Sequence, residues 1–105
     1  MAGMYRLDDL INLAASEGAE EIHLQAGQPP VMVSRGQRRL LDLPALTGDN
    51  VVELFRSFAT KEQVEELRRC GDVRFNHSFQ NSLRFGVTAA EQGENISVKM
   101  KNLGR

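Results

Sequence analysis

Three side chains in this 105-residue chain have the widest chemical range: His23, His77 and Cys70. An imidazole can bind a metal or move a proton near neutral pH, and a thiolate can act as a nucleophile. Small zinc modules bring their ligands in close sequence pairs. These three residues are isolated from one another, so no metal site is expected. Cys70 follows Arg68 and Arg69, cations that favour a thiolate, but no neighbouring base completes a nucleophile pair. Asp8-Asp9 and Glu20-Glu21 are adjacent pairs. Adjacent residues do not share a face of a helix or strand, so helix capping or solvation accounts for them better than paired acid–base work. No stretch matches G-x-x-x-x-G-K-[ST] or G-x-G-x-x-G, the glycine loops that cradle phosphates. The expectation is a chain without catalytic residues, and not an enzyme by itself.

The aromatic residues do not read as a base-stacking platform. Such platforms interleave exposed aromatics with cations, whereas Phe55, Phe58, Phe75, Phe79 and Phe85 all fall on apolar faces. With a net charge of −1, the chain also lacks the basic excess of a nucleic-acid binder. Charge is nevertheless uneven. Residues 1–60 carry eight acids against five arginines, and residues 61–105 carry eight basic residues against six acids. The residues from Asn95 onward hold Lys99, Lys101 and Arg105 and no acid. Two readings follow. One is a final strand at a sheet edge, where lysines deter unwanted pairing. The other is a small basic surface for an acidic partner.

These residues must be carried by elements, and the hydrophobic period identifies them. Leu7, Leu10, Ile11 and Ala14 recur at helical spacing, with Leu13 beside them, Asp8 and Asp9 near the start and Gly18 at the end. The period then becomes two. Ile22, Leu24 and Ala26 alternate with Glu21, His23 and Gln25, which describes a half-buried strand. Gly27-Gln28-Pro29-Pro30 breaks it. Val31 and Val33 begin a second strand, Arg35-Gly36 turns the chain, and Arg38 to Leu41 form a third. Val51, Leu54, Phe55 and Phe58 mark a second helix capped by Thr47. Thr60 with Gln63 opens a third as a capping box; Val64 and Leu67 face inward and Gly71 closes it.

The last third alternates throughout. Val73, Phe75, His77 and Phe79 form one apolar row, Leu83, Phe85, Val87 and Ala89 a second, and Ile96, Val98 and Met100 a third, with turns at Gln80-Asn81-Ser82 and Glu91 to Glu94. His77 is expected as a hydrogen-bonded core histidine and His23 as a surface or interface residue. The order α-β-β-β-α-α-β-β-β favours an α+β fold with an antiparallel sheet. The length, 105 residues, suits one domain over residues 1–105. A single cysteine fits a reducing compartment. Neither a run of about 18 apolar residues nor a secretory signal pattern is visible, so a cytoplasmic location with no direct membrane span is expected.

One stretch is more specific. Leu7-Asp8-Asp9-Leu10, followed by Gly18-Ala19-Glu20-Glu21-Ile22-His23-Leu24-Gln25-Ala26-Gly27-Gln28-Pro29-Pro30, resembles the N-terminal domain of the pilus-retraction and secretion ATPases of the PilT/GspE type. The resemblance continues in order through Val31 to Leu41, Leu46-Thr47, Thr60 to Leu67, Asp72-Val73-Arg74-Phe75 and Arg84-Phe85-Gly86-Val87-Thr88. It implies a PAS-like domain that precedes a RecA-like ATPase domain and packs on the ATPase domain of a neighbour in a hexameric ring. ATP and magnesium would then belong to that other domain, beyond Arg105, and this chain would hold no cofactor.

The resemblance also implies arginines on the fifth strand that reach toward a neighbour's nucleotide phosphates. Arg84 fits the first of these. The second position is Gly86, a residue with no group to hold a phosphate, and the asparagine position is Thr88. The expected function is a non-catalytic interaction domain of a pilus or secretion motor, with a RecA-like ATPase domain as partner and a homo-oligomer as a further option. A stand-alone adaptor and a small-molecule-sensing PAS-like domain are the alternatives. The interaction residues expected on the exposed strand faces are Glu21, His23, Arg74, Arg84, Lys99 and Lys101.

Overall fold

A computed structural model describes residues 7–79 and 83–104. Its elements are α1 (Leu7–Glu17), β1 (Glu21–Gln25), β2 (Val31–Ser34), β3 (Gln37–Leu40), α2 (Gly48–Arg56), α3 (Lys61–Cys70), β4 (Asp72–Ser78), β5 (Arg84–Gln92) and β6 (Asn95–Gly104). The predicted order and the α+β class are both found. The predicted turn at Gln80-Asn81-Ser82 lies outside the described residues.

The strands among the described residues join one six-stranded sheet in the order β3-β2-β1-β6-β5-β4, with antiparallel pairing between each neighbouring pair. This order corrects one expectation. The final strand is not at an edge. Its two sides are taken by β1 and β5, because the β1–β2–β3 meander leaves one side of β1 unpaired and β6 fills it. The edge strands are β3 and β4, so Lys99 and Lys101 stand over the middle of the sheet.

The helix ends follow their capping chemistry. At α2 the Thr47 hydroxyl accepts from the Asn50 amide and the Asn50 side chain accepts from the Thr47 amide, both at 3.0 Å. At α3, Thr60 and Gln63 make the same reciprocal pair. Each satisfies two amides that the helix itself leaves unpaired. Gly71 ends α3 at φ +86°, in the left-handed region where a side chain is strained.

The core lies between the helices and one face of the sheet. Leu10, Ile11 and Ala14 of α1 and Val51, Leu54 and Phe55 of α2 meet the inward residues of the strands, with Leu67 of α3 closing one end. From β1 come Ile22 and Leu24, from β5 Phe85, Val87 and Ala89, and from β6 Val98 and Met100, all buried. The opposite face of β6, β5 and β4 carries the alternate residues and remains accessible.

His77 departs from its expected state. It is half-buried and has no hydrogen-bond partner among the described residues. It packs instead between Phe58, with ring centroids at 5.2 Å, and Phe79 at 4.6 Å. The inward face of edge strand β4 runs past the end of α2, so aromatic rings rather than polar groups surround the imidazole. Burial accordingly pushes its pKa below the ordinary histidine value of 6.5.

Candidate interaction surface

The register of the sheet assembles the outer face from residues distant in sequence. Directly paired residues of an antiparallel sheet share a face. One row therefore crosses four strands through His23, Lys99, Thr88 and Arg74. The neighbouring row runs through Glu21, Lys101, Gly86 and Asn76. Five of the six expected residues thus fall in two adjacent rows. Arg84 shares the face by alternation but stands at the start of β5, opposite Ser78 and Gly104 and beside a register shift.

Two of these residues form a local pair. With Glu21 ionised, His23 donates from Nε2 to Glu21 Oε1 at 2.7 Å. That bond, with His23, Lys99 and Lys101 nearby in charge, holds the Glu21 carboxyl below its ordinary range despite an opposing effect of burial. The only other ion pair among the described residues joins Arg39 to Glu17, away from this face. Arg74, Lys99 and Lys101 therefore have no carboxylate within ion-pairing distance among the described residues.

Gly86 shapes the surface. Its missing side chain leaves an open depression of about 230 Å³ lined by Glu21, Arg74, Asn76, Thr88, Lys99 and Lys101, with Leu103 at its side. Gly86, Thr88, Asn76 and Leu103 were not expected as site residues. Alternation puts Asn76, Gly86 and Thr88 on the outer face, but only the cross-strand register shows which of them sit beside the lysines, and Leu103 reaches Gly86 from the register shift of β6. Arg38 is also on this face, opposite Val33, two strands from the depression.

Among the described residues no group of three His, Cys, Asp or Glu side chains is placed to hold a metal. Cys70 is exposed at the end of α3. Among the described residues, no helix is long and apolar enough to cross a membrane. What the arrangement can do is bind through charge and hydrogen bonds. Lys99, Lys101 and Thr88 on the internal strands β6 and β5, with Arg74 and Asn76 on the edge strand β4, supply donors across this face.

Comparisons with known proteins agree with this architecture. No protein-family model matches the chain. The chain is 25% identical over 97 residues to the type IV pilus retraction ATPase PilT of Pseudomonas aeruginosa, which takes in 92% of this chain and 28% of that protein. The chain thus spans little more than a quarter of the curated relative it matches. Among solved structures, the pilus retraction motor PilT with bound ADP superposes with a TM-score of 0.85 and 27% identity over 92% of this chain and 29% of that one. The Legionella pneumophila ATPase DotB shares the fold with a TM-score of 0.78 and 21% identity, over 91% of this chain and 28% of that one.

Proposed function

We propose that this chain, whose sequence and fold are those of an N-terminal domain of the PilT/GspE-like ATPase family, is a non-catalytic docking domain. Its outer sheet face packs against a RecA-like ATPase domain of a cytoplasmic pilus or secretion motor, in a ring of such units. The observation that carries this reading is the two-row cationic patch over β6, β5 and β4. Arg74, Lys99 and Lys101 stand on paired strands without internal ion pairs among the described residues. Unpaired cations cost little in water and gain when a partner supplies opposite charge. ATP and magnesium, on this reading, are handled by the partner domain.

The inner face supports docking over ligand sensing. A PAS-like sensor holds its ligand between sheet and helices. Here that space is filled by Phe55, Phe85, Ile22 and Met100, each no more than 1% exposed. Calorimetric titration of this chain with the full-length RecA-like motor ATPase of the source organism tests the proposal. Saturable binding that weakens with salt is expected; heats indistinguishable from dilution overturn it.

A further inference from the structure

Gly86 is unusual for its place. It lies inside β5, paired with Lys101 on one side and Asn76 on the other. A glycine within a strand weakens it and often marks a point where another group approaches closely. The two structural explanations are absent. The backbone at Gly86 does not adopt a positive φ, so no turn or left-handed conformation demands glycine. A Cβ there would meet Asn76 Oδ1 at 3.6 Å and Leu103 Cδ1 at 3.7 Å, ordinary contacts that crowd nothing. The register shift between β5 and β6 falls between Arg84 and Phe85 and leaves its extra residue, Leu103, in β6, so Gly86 is not itself a bulge residue. Gly86 thus leaves room above the sheet without any internal need for that room.

The polar groups that line that room are mostly hydrogen-bond donors, set beside the apolar side chain of Leu103. Lys99 and Arg74 stand on either side of Thr88, about 10 Å apart across two strand spacings. Lys101 and Asn76 flank Gly86 in the same way. Ammonium, guanidinium, hydroxyl and amide groups all offer hydrogen atoms to an acceptor. The lone acid at the rim, Glu21, is already engaged by His23. We infer that the Gly86 depression is the seat for a carboxylate side chain of the docking partner, inserted between Lys99, Lys101 and Arg74. This deepens the docking proposal and rests on it for the identity of the partner. The glycine admits the partner's side chain and the three cations hold its charge. Charge-assisted bonds of this kind, made on a preformed surface, confer register as well as affinity.

The test separates the seat from the docking reading. Amide resonances of the full chain are followed at low salt while acetyl-tetraglutamate amide, its tetraglutamine counterpart and inorganic phosphate are added in turn. Tetraglutamate is expected to move Gly86, Thr88 and Lys99 and to leave the helices still, and tetraglutamine to move none of them. Gly86→Val should weaken the tetraglutamate response about tenfold. Gly86→Ala, whose methyl group fits in ordinary contact, should weaken it less while keeping the remaining spectrum unchanged. Lys101→Gln should also weaken it. An equal response to tetraglutamine, or an unaltered response in both glycine variants, overturns the seat. Phosphate moving the same resonances at lower concentration than tetraglutamate would reassign the depression to a phosphate and overturn the carboxylate. Binding of the motor ATPase that survives Gly86→Val unchanged sinks the seat and leaves docking standing. A tetraglutamate response without any motor binding sinks docking and leaves the seat.

Discussion

His23 and Lys99 face each other across the seam between β1 and β6, and this pairing unites the two halves of the chain. One half contributes the β1–β2–β3 meander and the other contributes β4–β5–β6. Their junction sets the imidazole–carboxylate pair of β1 beside the cations of β6. Because the seam is internal, Lys99 and Lys101 on β6 are held by hydrogen-bonded strands on both sides.

The first prediction concerns the patch. Lys99→Glu with Lys101→Glu should weaken binding of the motor ATPase at least about tenfold at low ionic strength, and the difference should shrink as salt screens it. Arg84→Ala should weaken binding less than Lys99→Ala, because Arg84 stands at the start of β5, apart from the two rows. Calorimetry of the four proteins at two salt concentrations checks both statements. Equal losses from Arg84→Ala and Lys99→Ala would contradict the placement of the site.

The second concerns pH. The folded-state pKa of His77 lies below its ordinary value of 6.5. The unfolded chain therefore takes up the proton more readily, and stability present above pH 6.5 is lost as pH falls through the depressed folded value. Glu21 is also lowered, from 4.5, so its contribution fades at more acid pH still. Urea midpoints of the native chain should fall between pH 7 and pH 5, whereas those of His77→Phe should change less over that window. Parallel pH profiles for the two proteins would contradict the burial of an uncharged imidazole.

The third separates two glycines. Gly71→Ala should destabilise by about 1–2 kcal/mol, since alanine resists the left-handed conformation held there at φ +86°. Gly86→Ala should stabilise by about 0.5 kcal/mol, since its backbone is ordinary strand and alanine reduces unfolded-state freedom. Denaturant titrations of both variants read the difference in sign directly.

The fourth concerns the core under the patch. Ile22 is fully buried beneath the same strand that presents Glu21 and His23. Ile22→Ala should cost about 2–5 kcal/mol, measured by thermal unfolding. Thr60→Ala, which removes half of a capping box, should cost about 1 kcal/mol.

The sequence carried much of this architecture because its periods change sharply. Leu7 to Ala14 repeat at helical spacing, and Ile22 to Ala26 alternate. Thr60-Gln63 and Gly71 bracket α3 where their chemistry requires. Strand order was not legible, because alternation says which face a residue takes and nothing about its neighbour. Lys99 therefore read as an edge lysine, although β6 is internal. His77 reads as a hydrogen-bonded histidine because its apolar face is visible in the alternation, whereas Phe58 reaches it only through the way the chain after α2 packs on β4. The same limit applied at the site. Glu21, His23, Arg74, Lys99 and Lys101 were singled out as exposed strand residues, but Gly86 and Thr88 join them only through the pairings of β5 with β6 and β4.

The most direct test is the footprint of the motor ATPase on this chain, read by backbone amide hydrogen exchange with and without the full-length ATPase. Slowed exchange is expected in β6, β5 and β4 around Lys99, Thr88 and Arg74, with α1 and α3 unchanged. Protection confined to the helices, with the sheet unaffected, would contradict it.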